Sequence, residues 1–254
     1  MFGEGAILSK GLYRARIAES GKDLRAAQHL RWQAFWEARG LSRDGQVDAD
    51  EFDHICQHML IEDQRSGRLL ATFRFMLLGD GDELERSYSA GHYDLSALRD
   101  FAGPMVEMGR FCTLPGLGDP NVLRIAWGAM TRYVDDRGVK LLFGCLAFDG
   151  ADAEGHRDAL ALLAARYLGP GRWQPGIKAS SVFRFSRELR DLRPDLRRAQ
   201  AGLPPLLRTY LIMGGWVSDH AVIDDELNTL HVFTGLEIDA VPAARRKLLR
   251  AVAG

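Results

Sequence analysis

Hydrophobic residues recur along this chain with two different periods, and the switches between those periods mark out its elements. In residues 23–39, Leu24, Ala27, Ala34, Phe35 and Ala38 fall on one stripe at helical spacing, and Gly40 ends the run. Residues 42–53, rich in Asp and Gly, read as an acidic loop. Residues 58–63 and 69–78 are strand-like, and Gln64-Arg65-Ser66-Gly67 between them predicts a hairpin turn, closed further on by Gly79-Asp80-Gly81-Asp82. Residues 105–113 predict a strand. The loop 114–120, with its Pro and Gly residues, leads into a helix over 121–136 that Arg137-Gly138 stops. Residues 141–148 read as a buried strand and 158–167 as a helix. After an Arg-rich segment at 184–198, residues 206–217 and 230–233 read as a last pair of strands. Helix, hairpin, strand, helix, strand argues for a mixed sheet with helices on its faces, and against a regular doubly wound sheet.

Charges interrupt this pattern in two places. Arg31 lies seven residues after Leu24 and four before Phe35, on the buried stripe of the first helix. Arg74 belongs to Leu70-Thr72-Arg74-Met76-Leu78, on a strand whose other face is Leu69-Ala71-Phe73-Phe75-Leu77. Such a strand should be central, and a buried charge left without its partner costs about 3–5 kcal/mol. Asp50, Asp53 and Glu107 are the candidate partners. The cluster is either an ion-pair network without chemistry, a pair of arginines reaching for an edge, or a functional site, where perturbed charges tend to gather. Glu107 and Arg110 differ by an odd step, so a regular strand points them to opposite faces. Gly109 between them is the expected place for a β-bulge that would re-aim one.

Composition narrows the class. The 254 residues are 46% hydrophobic and 26% charged, ordinary for a soluble domain. A net charge of −1 gives no overall field to draw in nucleic acid, so an anionic partner must be met by a local basic patch. Cys56, Cys112 and Cys145 are too few for a disulfide framework and read as reduced thiols. The first ten residues carry two charges and no apolar core, so no leader is expected, and no apolar stretch approaches the ~20 residues that span a bilayer. The expected location is the cytoplasm, in solution or lying on the inner face of its membrane. His58-x4-Asp63 and His220-x4-Asp225 match a short acyltransferase motif that chance alone produces here. His54, Cys56 and His58 lack the rest of a zinc site, and no metal is expected.

The interrupted positions carry a resemblance. Arg31-x3-Phe35, Asp50-x2-Asp53, Arg74 and Glu107-Met108-Gly109-Arg110-Phe111 resemble the signature of acyl-homoserine-lactone synthases. Phe52-Asp53-His54-Ile55-Cys56, Leu142-Phe143-Gly144-Cys145 and Pro204-Pro205-Leu206-Leu207 are more similar to the L-ornithine Nα-acyltransferases. The resemblance spans residues 13–240. It implies a GNAT-like α/β (α+β) fold: a mixed, mostly antiparallel twisted sheet flanked by helices, with C-terminal additions, in a single domain over 1–254. It also implies transfer of a (3-hydroxy)fatty acyl group to the α-amine of ornithine, the first step of ornithine-lipid synthesis. The donor would be the acyl-phosphopantetheine of acyl carrier protein, with no bound cofactor. Glutamine N-acylation and acyl-homoserine-lactone-type chemistry remain alternatives, and a carrier- or lipid-binding module is the alternative outside enzymes. An α-ammonium must lose a proton before it attacks a thioester, and Glu107 is the expected base. Arg31, Phe35, Asp50, Asp53, Arg74 and Arg110 are the expected substrate-binding set, their division of labour unassigned.

The chain departs from acetyl-CoA-using relatives at Leu114-Pro115-Gly116-Leu117-Gly118-Asp119-Pro120. Amides at a helix N-terminus would otherwise hold pyrophosphate, but Pro120 has no amide proton and Asp119 repels phosphate. That favours a carrier-protein donor. Arg184, Arg187, Arg190, Arg193, Arg197 and Arg198 are the expected docking patch for the carrier, with Arg245, Arg246 and Lys247 as a second basic run that also suits anionic lipid.

Overall fold

A computed structural model describes residues 6–41 and 44–254 of the chain. The reading of residues 1–5 and the Ser42 end of the acidic loop lie outside the described residues. By packing, the chain divides into two compact units. The first comprises Met1–Met76, Met108–Gly138 and Ala243–Gly254; the second comprises Leu77–Glu107 and Val139–Pro242.

The first unit opens with a hairpin of β1 (Ala6–Lys10) and β2 (Tyr13–Ile17). Helix α1 (Gly21–Phe35) follows. Its N-cap Ser20 accepts the Asp23 amide through its hydroxyl, and the Asp23 carboxylate accepts the amide of Glu19, just before the cap. The helix ends at Phe35, earlier than its apolar stripe suggests, and a 3-10 turn runs Glu37–Arg39 to Gly40 in the left-handed region. The expected hairpin forms from β3 (Gln57–Asp63) and β4 (Leu69–Leu78), antiparallel, with His58 opposite Arg74. Asp63 closes its turn by accepting the Arg65 and Ser66 amides and the Ser66 hydroxyl. Strands in this unit run in the order β1-β2-β3-β4, with the strand of residues Met105–Thr113 next to β4.

Strand β5 (Tyr93–Asp94) follows in the chain, then β6 (Met105–Thr113), which passes from the second unit into the first. Helix α2 (Pro120–Arg137) starts and stops where its sequence directs: Asp119 caps it, Pro120 fills its first turn, and Gly138 takes the left-handed C-cap.

In the second unit β7 (Leu141–Asp149) pairs parallel with β6 through Met105↔Leu141, Val106↔Leu142 and Glu107↔Phe143. Helix α3 (Arg157–Arg166), the short strands β8 (Gly176–Ile177) and β9 (Val182–Phe183), and helices α4 (Phe185–Glu188), α5 (Leu196–Gly202) and α6 (Pro205–Ile212) come next. Strands β10 (Trp216–Asp224) and β11 (Thr229–Glu237) are antiparallel, and β11 is antiparallel to β7 along all nine of its residues. Strand order here is β6-β7-β11-β10-β9, with β5 and β8 forming a separate two-stranded ribbon. The strand expected over 206–217 is instead α6: Pro205 opens a helix that buries Leu207, Tyr210 and Leu211, and the strand begins only at Trp216.

Helix α7 (Ala243–Ala253) returns to the first unit. A Cβ at Gly128 of α2 would come within 2.7 Å of Val252 and 3.0 Å of Leu8, so the absent side chain lets α7 and β1 close onto α2. No helix among the described residues is long and apolar enough to cross a membrane.

Candidate active site

Arg31 occupies the buried stripe of α1, with 1% of its surface exposed. Its guanidinium bonds both oxygens of Asp53, Nη1 to Oδ1 at 2.9 Å and Nη2 to Oδ2 at 2.6 Å. Nη2 also donates to the Asp48 carbonyl, and Nε lies 3.2 Å from Asp48 Oδ2. Arg74, 3% exposed on β4, reaches Asp53 Oδ1 at 2.9 Å and Asp50 Oδ1, and its guanidinium lies over the Phe52 ring. Gln28 Nε2 adds a 2.8 Å bond to Asp53 Oδ2. Burial alone would raise the Asp53 carboxyl. Hydrogen bonds and charge from Arg31, with help from Gln28 and Arg74, outweigh it and hold the group well below the usual carboxylate range. Asp50 is shifted down against its burial by Arg74 and then by the charge of Arg110. Asp50 also caps the 3-10 turn Glu51–His54 by accepting the Phe52 amide, so one carboxylate shapes the acidic loop and faces the arginines.

Arg110 stands at the rim of this network, its side chain 16% exposed beside an Asp50 that is 18% exposed. Nη2 lies 3.4 Å from Asp50 Oδ2, Nε lies 3.8 Å from Asp48 Oδ2, and the guanidinium sits 6.0 Å from the Phe35 ring centre. Arg110 itself adopts φ +53°, a left-handed conformation uncommon for a side-chain-bearing residue within a strand. This left-handed residue directly follows Gly109, where the sequence leads one to expect a bulge. His58 completes the surroundings: buried, its Nε2 is 3.1 Å from the Asp53 carbonyl, and burial lowers its pKa.

Glu107, in the second unit, is 5% exposed at the last position where β6 pairs with β7. Its Oε1 accepts the Ser89 amide at 2.7 Å and the Ser89 hydroxyl at 2.6 Å; Oε2 accepts the Tyr88 amide at 2.8 Å. Ser89 Oγ also lies 3.4 Å from Cys145 Sγ on β7, and burial pushes that thiol well above its ordinary value.

Residues 30–128, which carry Arg31, the acidic loop, Arg74, Glu107 and Arg110, match the acetyltransferase (GNAT) domain family. The chain is 28% identical to the L-ornithine Nα-acyltransferase of Rhodobacter capsulatus, over 92% of this chain and 93% of that protein. With the L-ornithine Nα-acyltransferase of Brucella abortus it shares 29% identity, over 94% of this chain and 89% of the relative. The chain is a GNAT-fold acyltransferase, homologous to the L-ornithine Nα-acyltransferases. The same fold is found in FeeM, an N-acyl amino acid synthase from uncultured soil microbes, with a TM-score of 0.51 at 12% identity, covering 89% of this chain and 91% of that one.

In this acyltransferase the six arginines at 184, 187, 190, 193, 197 and 198 are all exposed, on and around α4 and α5. The N-terminus of α2 is occupied by its own cap, since Asp119 accepts the Asn121 amide and the Tyr13 hydroxyl. Sequence reasoning missed Asp48 and Gln28 around Arg31, and Tyr88 and Ser89 around Glu107. Asp48 sits among similar residues of an acidic loop. The clamp residues lie in a stretch of short 3-10 turns with neither helical nor strand period.

Proposed function

We propose that this acyltransferase transfers a fatty acyl group from the phosphopantetheine thioester of acyl carrier protein to the α-amine of ornithine, giving a lyso-ornithine lipid. The observation that carries this reading is the grading of exposure across the Arg–Asp cluster. Arg31 and Arg74 are buried against Asp48, Asp50 and Asp53, which fits them to hold the acidic loop. Arg110 and Asp50, both partly exposed, offer a guanidinium for an α-carboxylate and a carboxylate for an ammonium group, the two charges every α-amino acid presents. Ornithine is preferred to glutamine as the acceptor because the relatives similar over most of the chain are L-ornithine Nα-acyltransferases.

Glu107 takes the proton from the α-ammonium, directly or through a water. The freed amine attacks the thioester carbonyl and the C–N bond forms; the C–S bond then breaks, the nitrogen gives up its extra proton to become the amide, and the leaving pantetheine thiolate takes up a proton to become the thiol. The α2 N-terminus supports a carrier donor, because Asp119 occupies the position where a CoA diphosphate would need amides. The exposed arginines around α4 and α5 supply positive charge for an acidic carrier, and membrane contact through them or through α7 suits a lipid product.

The test is expression in a host without aminolipids, followed by lipid extraction and mass spectrometry, with purified protein assayed against ornithine and glutamine. Lyso-ornithine lipid and a higher kcat/KM for ornithine are expected. An acylglutamine product would move the reading to the glutamine alternative, and no acyl transfer to either would sink it.

A further inference from the structure

The Glu107 carboxylate is gripped by a turn that carries no motif. We propose that Ser89 is the positioning residue for Glu107, fixing both its orientation and its ionised form for proton removal from the acceptor amine. The proposal rests on Glu107 being the base. Ser89 is fully buried, and a hydroxyl at such a position needs a partner. Its proton goes to Glu107 Oε1 at 2.6 Å, and its amide reaches the same oxygen at 2.7 Å. With the Tyr88 amide on Oε2, two successive backbone N–H groups and a hydroxyl converge on one anion. Ser87 braces the turn, donating to the Leu84 carbonyl at 2.6 Å and accepting the Ala90 amide at 3.2 Å.

This geometry also assigns a direction. Because the Ser89 proton points at Glu107, its oxygen is the acceptor toward Cys145, whose thiol stays protonated in its buried setting. Donation therefore runs from Cys145 to Ser89 to Glu107. Around this turn Tyr88 packs on His92 of the same segment, His92 on His231 of β11, and His231 on Tyr93 of β5. None of these residues is substituted in the test below.

Removing the hydroxyl takes a donor from the ionised carboxylate, so the base should hold its proton to higher pH. The experiment compares pH profiles of kcat/KM for the wild type, Ser89→Ala and Ser89→Cys, with thermal melts on each and with Glu107→Gln as the reference variant. The acceptor amine titrates identically in every protein, so a difference between profiles belongs to the enzyme. In Ser89→Ala the acid limb is expected to move up by about one pH unit, a tenfold loss on that limb worth about 1.4 kcal/mol, with the high-pH plateau kept. Ser89→Cys, a weaker donor, should shift it less in the same direction, and carries the test if the alanine variant does not fold. A uniform drop at all pH values, or an unmoved limb beside an inactive Glu107→Gln, overturns the Ser89 assignment alone. Wild-type turnover in Glu107→Gln overturns the base reading and this proposal with it.

Discussion

Asp53 is the residue on which the first unit's charges converge, since Arg31, Arg74 and Gln28 all donate to it. Asp53→Asn keeps the shape but leaves two buried guanidinium groups short of a counter-charge, and a loss of about 3–5 kcal/mol is expected in urea unfolding at neutral pH. Arg74→Met should cost less, because Arg31 still pairs Asp53 and Arg110 still faces Asp50; a structure with Arg74 in bulk solvent would contradict the assignment. The pH dependence follows from the sign of the shifts. Asp50 and Asp53 titrate lower folded than unfolded, so their contribution is fully present above the unfolded value of about 4 and is lost as pH falls below it. The urea midpoint should hold from neutrality to about pH 5 and then fall, less steeply in Asp53→Asn. Arg31 and Arg74 were legible in the sequence because a full charge in an apolar period is improbable without a partner. Ser89 was not, because a small polar residue in a run of turns breaks no pattern.

Among the elements, α2 was the most legible, since its cap, its proline and its terminal glycine each act through local backbone chemistry that needs no tertiary information. Helix α6 was misread for the opposite reason. Its eight residues, Pro205–Ile212, are nearly all apolar, and so short an apolar run has no period to separate helix from strand. Strand β6 lies where expected, and within it Arg110, the residue after Gly109, takes a left-handed φ that neither its side chain nor its place in the pattern announces. The turns between β4 and β5 hold the Glu107 clamp, and Gly81 lets them pack: a Cβ there would collide with the Arg99 backbone carbonyl. Gly81→Ala should therefore destabilise the protein by about 1–3 kcal/mol, the range for overpacking. It should also depress turnover at permissive temperature, read as kcat beside a thermal melt.

On the scale of the whole molecule, a net charge of −1 conceals local order, with six arginines exposed between residues 184 and 198. If these meet the acidic carrier, reversing Arg187, Arg190 and Arg197 to Glu should raise the KM for acyl carrier protein at low salt and flatten its salt dependence. The KM for the amino acid should stay within about twofold, because charges at a rim are screened within about 8–10 Å. An unchanged carrier KM would return these residues to a solvated surface. Both compact units are assembled from separated stretches of chain, and this carries a consequence for biosynthesis. Helix α7 belongs to the first unit but leaves the ribosome after every residue of the second, and its Val252 joins Leu8 in covering Gly128. Until then the nascent first unit carries an uncovered face on α2, which a ribosome-bound chaperone or a protease can reach. Stalled chains that end before residue 243 should accordingly be cut within the first unit, while chains extended past α7 by a linker resist.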